Sequence, residues 1–389
     1  MLLLLIVSFV ICAIFLGSSG LYYSYMKRMA KKPWRLSIDD SYKPSVSILV
    51  PVHNEEKTIQ LKLRNLSRIN YNPEKTEIVV VNDASTDKTL TEIDSFRARN
   101  PNLGIRVVSV QEHLGKTNCL NLALKSLNSE IIVVSDADCF WSSDILARAL
   151  PFMSDPTVGA VTGLEWLLNP YGSWVTAGEE FFDKTVQSMR VGESKVHSTI
   201  FFQGGFAAYK HKLVNEFDQD ADDSGTALDI IQRNCRTLLL PEIGFYTPFP
   251  TVWKNKITLK VRRASQLQHL LAKCLNLLVR RKLRMPKRIA APQIFLHIFN
   301  PLLLIALAIV SVFGFIQLPM AFLAFLLILC PILLIRKTRT ILIEVLQNNC
   351  ILLAALPSFL TSKRFKPWKT VQESRYFITE DLLKEKKLI

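Results

Sequence analysis

The chain has 389 residues, 49% of them hydrophobic, and a formal net charge of +15 from 48 lysines and arginines against 33 acidic residues. That length allows one or two domains of ordinary size, and the apolar share is too high for a purely water-soluble chain, so part of it belongs in lipid. The seven cysteines contain no Cys-x-x-Cys pair, which argues against a zinc site or a disulfide framework and suits a reducing cytosol.

Residues 1–26, "MLLLLIVSFVICAIFLGSSGLYYSYM", carry no charged side chain. At ~1.5 Å per helical residue they are long enough to cross a hydrocarbon core of ~30 Å. A cleaved signal peptide is the competing reading, but no basic n-region precedes the apolar run, whereas "KRMAKKPWR" (Lys27 to Arg35) follows it. By the positive-inside rule this predicts an uncleaved transmembrane anchor, a basic juxtamembrane linker over 27–44, and the next domain in the cytosol.

Residues 45–265 alternate apolar β-branched runs with helical patterns. "VSILVPV" (Val46 to Val52), "EIVVV" (Glu77 to Val81), "IRVVSV" (Ile105 to Val110), "IIVVS" (Ile131 to Ser135) and "VGAVTG" (Val158 to Gly163) read as strands, with helices from Glu55, from Thr86 and from Gly115. Strands apolar on both faces predict an α/β fold with a mainly parallel, Rossmann-like sheet and right-handed crossovers. Ligands in such a sheet sit beyond the carboxyl ends of the strands.

Those ends carry "PVHNEE" (Pro51 to Glu56), "NDASTD" (Asn82 to Asp87) and "DAD" (Asp136 to Asp138). Each alone has a structural explanation, since Asn54, Ser85 and Thr86 are good helix caps and acids favour a first helical turn. Clustered carboxylates, however, repel one another unless a cation or donor compensates, and a site of few carboxylates plus phosphates suits Mg2+ or Mn2+. Lys116, in "GKTNCLN", adds a point charge at a helix start.

After the α/β block, residues 266–288 read as an amphipathic, basic-rimmed helix lying on a membrane surface. Residues 289–335 are long enough for two transmembrane helices, reversing near Gly314 to Pro319. Residues 340–361 hold Glu344, Gln347, Asn348 and Asn349, so an interface or re-entrant helix and a further span both remain open, and a basic tail over 362–389 returns to the cytosol. Lysines and arginines crowd at 27–35, 254–263, 280–288, 336–339 and 363–369, beside the hydrophobic blocks. That placement fits anionic lipid head groups or topology control and argues against a nucleic-acid partner.

In order and separation, "VPVHNEE", "VVVNDASTDKT", "GKTNCLNLAL" and "SDAD" resemble the motifs of family 2 glycosyltransferases of the GT-A fold. The likeness is to their membrane-embedded synthase-like branch, which includes poly-N-acetylglucosamine and hyaluronan synthases. The resemblance implies that Pro51, Val52, Glu55, Asp83, Lys116 and Asp136 hold a nucleotide sugar and that Asp138 meets a Mg2+ or Mn2+ ion on its diphosphate. "FFQGGFAAYKHKL" (Phe201 to Leu213) resembles the acceptor-side segment, pointing to Gln203, Gly204 and Gly205, while a plain glycine turn between strands is the other reading. "DADDSGTALDIIQRN" (Asp220 to Asn234) resembles the segment whose second acid is the general base. That makes Asp223 the catalytic residue, with Asp222 beside the acceptor, although both could be plain acids of a helix start.

In "LKVRRASQLQHLL" (Leu259 to Leu271), Lys260, Arg263 and Ala264 stand where the synthases carry Gln-x-x-Arg-Trp. Arg263 keeps the arginine and faces either a diphosphate or the lipid surface. The tryptophan that stacks on the acceptor sugar in the synthases is replaced by Ala264, which counts against processive polymerisation. The implied activity is therefore inverting transfer from a nucleoside diphosphate sugar to a lipid-linked or growing glycan acceptor at the cytosolic face. A UDP-sugar is the expected donor and GDP-mannose the second. A processive polysaccharide synthase is the alternative within the class, and a catalytically inactive membrane scaffold or lipid-binding protein the alternative outside it.

Overall fold

Runs of aliphatic and β-branched residues become strands here because both of their faces are covered. The computed structural model describes residues 2–317, 336–360 and 372–389, with isolated positions between 319 and 334. Two compact units result, Met26–Lys256 with Lys366–Ile389, and Met1–Tyr25 with Ile257–Phe365. The chain opens with α1 (Leu2–Ala30), whose last turn carries Lys27 and Arg28. The helix runs beyond Met26, the expected end of the anchor, because no glycine or proline interrupts it before Pro33.

In the first unit, β1 (Val46–Val52), α2 (Ile59–Leu66), β2 (Thr76–Asp83), α3 (Thr89–Arg99), β3 (Ile105–Val110), α4 (Lys116–Leu124) and β4 (Ile131–Val134) alternate as expected. They are followed by β5 (Phe140–Trp141), α5 (Ile145–Ala149), β6 (Val158–Leu167), α6 (Trp174–Val196), β7 (Ala207–Lys210), α7 (Asp222–Gln232) and β8 (Arg236–Thr247). Among the described residues these strands form one sheet in the order β3-β2-β1-β4-β7-β6-β8-β5.

Every residue of β1 is buried. Alternate positions serve opposite faces: Val46, Ile48, Val50 and Val52 join Ile78, Val80, Ile131 and Val133 under α2 and α3. Leu49 joins Val79, Val81, Ile132 and Val134 under α4 and α7. This period of two, with both faces covered, is the physical content of the continuous apolar runs.

β1 pairs in parallel with β2 and β4, and β2 with β3, Val52 lying opposite Asn82. The other half of the sheet departs from the parallel expectation: β7 runs antiparallel to both β4 and β6, while β6 and β8 pair in parallel. The sheet is therefore mixed but mainly parallel, an α/β arrangement of the GT-A kind. Two helices start later than the spacing predicts, at Ile59 rather than Glu55 and at Thr89 rather than Thr86. The reason is local: Asn54, Glu56 and Asp87 spend their side chains on the backbone N–H groups of Thr86, Lys88 and Glu56, which keeps those residues in the loops.

The C-terminal segment belongs to this unit too, through two short helices, Gln372–Arg375 and Glu380–Glu385. Ile378, Leu383, Leu388 and Ile389 pack with Phe140 and Leu168, and Asn65 Nδ2 donates to the Leu388 carbonyl at 2.7 Å. The basic tail is thus, in its described part, a docked element, because its apolar residues recur at helical spacing.

The second unit takes α8 (Trp253–Val279) from Ile257 onward, α9 (Lys287–Ile294), α10 (Asn300–Gln317) and α11 (Arg336–Leu360). α8 runs straight through Ser265 and ends at Val279, since "ASQLQ" holds no helix breaker there. Ala264, Ile351, Leu352 and Ala355 form an apolar cluster, and Gln268 Nε2 donates to the Leu352 carbonyl at 2.9 Å. Among the described residues, three helices are long and apolar enough to cross a membrane by length and composition: Ile6–Ala30, Lys287–Gly314 and Leu342–Phe359. Within the last, Asn348 and Asn349 donate to the carbonyls of Glu344 and Val345 one turn back, which lowers the cost of their amides in apolar surroundings. The second span expected within 289–335 falls largely outside the described residues.

Candidate active site

β1, β2 and β4 deliver three loops to one sheet edge. Asn54 and Ala84 adopt left-handed backbone (φ 55° and 51°), turning the chain back at the ends of β1 and β2. The two loops are laced together: Asn54 N–H donates to Ser85 Oγ at 3.0 Å and Glu55 N–H to Thr89 Oγ1 at 2.8 Å.

Asp83 is buried at the end of β2, and its carboxylate accepts from Leu114 N–H at 2.7 Å, Gly115 N–H at 2.9 Å and His113 Nδ1 at 2.8 Å. It therefore shapes the loop before α4, where Gly115 takes φ 86° and sets the direction of Lys116. His53 Nδ1 lies 2.6 Å from the Asp83 carbonyl, which can only accept, so that nitrogen carries the proton. The His53 and His113 rings lie 4.1 Å apart, beside Asp83.

Lys116 is the hub. Its Nζ lies 2.8 Å from Asp136 Oδ1 and 3.3 Å from Asp223 Oδ2, so residues far apart in sequence converge on it. Burial disfavours the charge on Lys116, but Asp136, Asp223 and Asp222 overcome it and hold the ammonium well above its ordinary pKa. Burial opposes ionisation of Asp136 as well; Lys116 first, then Arg375 and Lys62, reverse that and keep its carboxyl below the usual range. For Asp223 burial prevails, helped by Asp136 and Asp222, and its pKa is raised despite Lys116. A buried carboxylate with a raised pKa is what a general base needs if it is to accept a proton. Tyr209 on β7 donates its hydroxyl to Asp223 Oδ1 at 3.3 Å, and Thr117 Oγ1 donates to Asp222.

Beneath the Asp136–Asp138 turn lies Lys62 of α2, fully buried. Its Nζ donates to Ser135 Oγ and to the Cys139 carbonyl, both at 2.6 Å, and sits 4.6 Å from the Trp141 ring. Trp141 Nε1 in turn donates to the Gly205 carbonyl at 2.6 Å, and Asp136 N–H to the Gly204 carbonyl at 2.7 Å. Gly204 and Gly205 thus support the turn through their carbonyls. A Cβ on Gly204 would overlap Lys116 Nζ and the Asp136 carboxylate, and one on Gly205 the Phe245 ring.

Ligand atoms of Asp136, Asp138 and Cys139 lie within 4.8 Å of one another. Burial pushes the Cys139 thiol well up, so it stays neutral and leaves two hard carboxylates, a donor set that fits Mg2+ or Mn2+ with phosphate oxygens completing the shell. Asp138 and Glu55 are bridged by Arg375, from the C-terminal segment: Nη1 donates to Asp138 Oδ2 and Nε to Glu55 Oε2 at 3.0 Å. Glu55, buried, has its pKa raised by that burial. Pro51 and Val52 contribute backbone at the end of β1, and Gln203 precedes the glycine pair. Arg263 lies on α8 in the other unit. Arg375, Lys62 and Tyr209 were absent from the sequence-based site.

This edge has counterparts elsewhere. A profile described as "Glycosyl transferase family 2" matches residues 47–218. A mannosyltransferase from Pyrobaculum calidifontis, solved in complex with GDP-Man and Mn2+, aligns over 92% of this chain and 99% of that chain at 31% identity, with a TM-score of 0.79. The chain belongs to glycosyltransferase family 2. This glycosyltransferase is also 30% identical over 136 residues to the beta-monoglucosyldiacylglycerol synthase of Synechocystis sp., covering 28% of that protein. It is 32% identical over 150 residues to the poly-beta-1,6-N-acetyl-D-glucosamine synthase of Staphylococcus aureus, covering 34% of it. The matched region is thus well under half the length of either curated relative.

Proposed function

We propose that this glycosyltransferase transfers one sugar from a nucleoside diphosphate sugar, with inversion, to a lipid-linked acceptor at the cytosolic face of a membrane. The observation that carries the reading is the convergence of Asp136 and Asp223 on Lys116 at the carboxyl edge of β1, β2 and β4, with Asp138 beside Asp136. A scaffold that had lost catalysis would have no use for two acids on one largely buried ammonium with a third acid next to them.

The residues divide the work. The loops at Pro51 to Glu55 and at Asp83 border the nucleotide, and Asp136 and Lys116 orient the donor. Asp138 would hold a divalent ion, which when bound stabilises negative charge on the departing diphosphate. Asp223 accepts the acceptor hydroxyl's proton as the new C–O bond forms. Gln203, Gly204, Gly205 and Asp222 are assigned to the acceptor side. Similarity along nearly the full chain to a mannosyltransferase that holds GDP-Man favours GDP-mannose over a UDP-sugar as donor. Apolar helices near the chain's start and after the catalytic unit favour a membrane-resident acceptor.

The test is a donor panel on the purified full chain with membrane lipid extract and Mn2+, reading free nucleoside diphosphate and product size. Release from GDP-mannose with single-sugar products supports the reading. Long polymer would establish a processive synthase instead, and no Mn2+-dependent release from any donor would overturn it.

A further inference from the structure

The carboxylate assigned to a divalent ion already has a cation, and it comes from the far end of the chain. Arg375 is buried, its side chain 7% exposed, and all three guanidinium nitrogens are engaged: Nε and Nη2 fork onto Glu55, and Nη1 is on Asp138 Oδ2. A fork of this kind is directional and charge-assisted, so the pairing is specific. Asp138 Oδ1 faces the neutral Cys139 thiol at 3.7 Å.

We propose that Arg375 and the divalent ion are alternative partners of Asp138, so that the C-terminal segment holds the carboxylate in place until the ion takes it over. The inference rests on the reading of Asp138 given above. An ion bound ~2.1 Å from an Asp138 oxygen would bring a double positive charge beside the guanidinium, and the two cations drawing on the same carboxylate repel each other. The exchange does not require the segment to undock. Glu373 is fixed by Thr251 N–H at 3.0 Å, Val252 N–H at 3.1 Å and Asn255, while Ile378, Leu383 and Leu388 are anchored in the core. Between those anchors only the Nη1 contact must break, and the fork on Glu55 persists. Asp138 is thereby kept oriented and compensated when no ion is bound, and the ion binds against a built-in competitor.

Mn2+ affinity of the purified full chain, without any donor, tests this by the electron paramagnetic resonance signal of free Mn2+. Arg375→Gln is expected to tighten Mn2+ binding about tenfold, since a charge-assisted partner of Asp138 is lost. Glu373→Ala, which loosens the segment without touching the pair, is expected to shift affinity the same way by a smaller factor, and decides the matter if Arg375→Gln does not fold. Asp138→Asn should weaken Mn2+ binding severely. If Asp138→Asn has no effect, the metal assignment itself falls and this inference with it. If Asp138→Asn weakens binding but neither Arg375→Gln nor Glu373→Ala tightens it, only the competition is overturned.

Discussion

The Lys116 ammonium lies 3.3 Å from the Asp223 carboxylate and ties the proposed base to the donor side of the site. Because Asp223 is buried and its pKa raised, its carboxylate is lost on acidification earlier than an ordinary aspartate's. Activity should therefore fall as pH drops through a value above the usual aspartate range, and the fall should disappear in Asp223→Asn. That variant should lose roughly 10²–10⁴ in kcat with little change in donor KM, since general base catalysis contributes about that much. Initial rates of nucleoside diphosphate release across pH check both statements.

Lys116 lowers the pKa of both Asp223 and Asp136, so Lys116→Met should move the acid limb of the same profile to higher pH. A purely structural loss would lower activity at every pH and leave the limb in place. Donor KM should also rise, because Asp136 is left a partly buried carboxylate short of its main counter-charge. Profiles of kcat/KM for the variant and wild type separate the two outcomes.

How much of this was legible in the sequence depends on whether neighbours in sequence or neighbours in space define a residue's role. β1, β2, β3 and β4 could be read because every face is covered and the apolar runs are unbroken. β7, "AAYK", is too short and small to show a period, and β8 carries Pro241 inside it, so the strands on either side of β6 could not be read. Asp136, Asp138 and Lys116 stand at strand ends or a helix start, where position in sequence predicts position in the site. Arg375 lies 237 residues from Asp138, and only tertiary packing brings them together. Lys62 sits in an amphipathic helix, where a lysine ordinarily faces water; here a carbonyl, a hydroxyl and a ring replace that water.

The two adjacent glycines should fail differently. In Gly204→Ala the new methyl intrudes between Lys116 and Asp136, flexible side-chain ends that can shift, so the fold should survive while donor turnover falls by roughly tenfold or more. In Gly205→Ala it meets the Phe245 ring in the core, an overpacking that costs about 1–3 kcal/mol and should appear as a lowered Tm. Paired thermal melts and rates on both variants check the contrast; equal effects on Tm would refute it.

Lys62 offers a test of the support under Asp136 and Asp138 that needs no substrate. Burial pulls its pKa from 10.5 to about 8. Below pH 8 the lysine is charged in both states, and the folded state bears the full cost of burying that charge. Between about 8 and 10.5 the folded protein releases its proton while the unfolded chain keeps it, so this group's contribution to stability rises with pH. The gain over that window is about 3 kcal/mol from a shift of this size. Lys62→Met has no such proton to release. Its stability relative to wild type should therefore worsen by about that amount as pH rises from 8 to 10.5, whatever the difference at neutral pH. Thermal unfolding of both proteins across this range measures it, and a constant difference would mean that Lys62 is not held in the buried, desolvated position described.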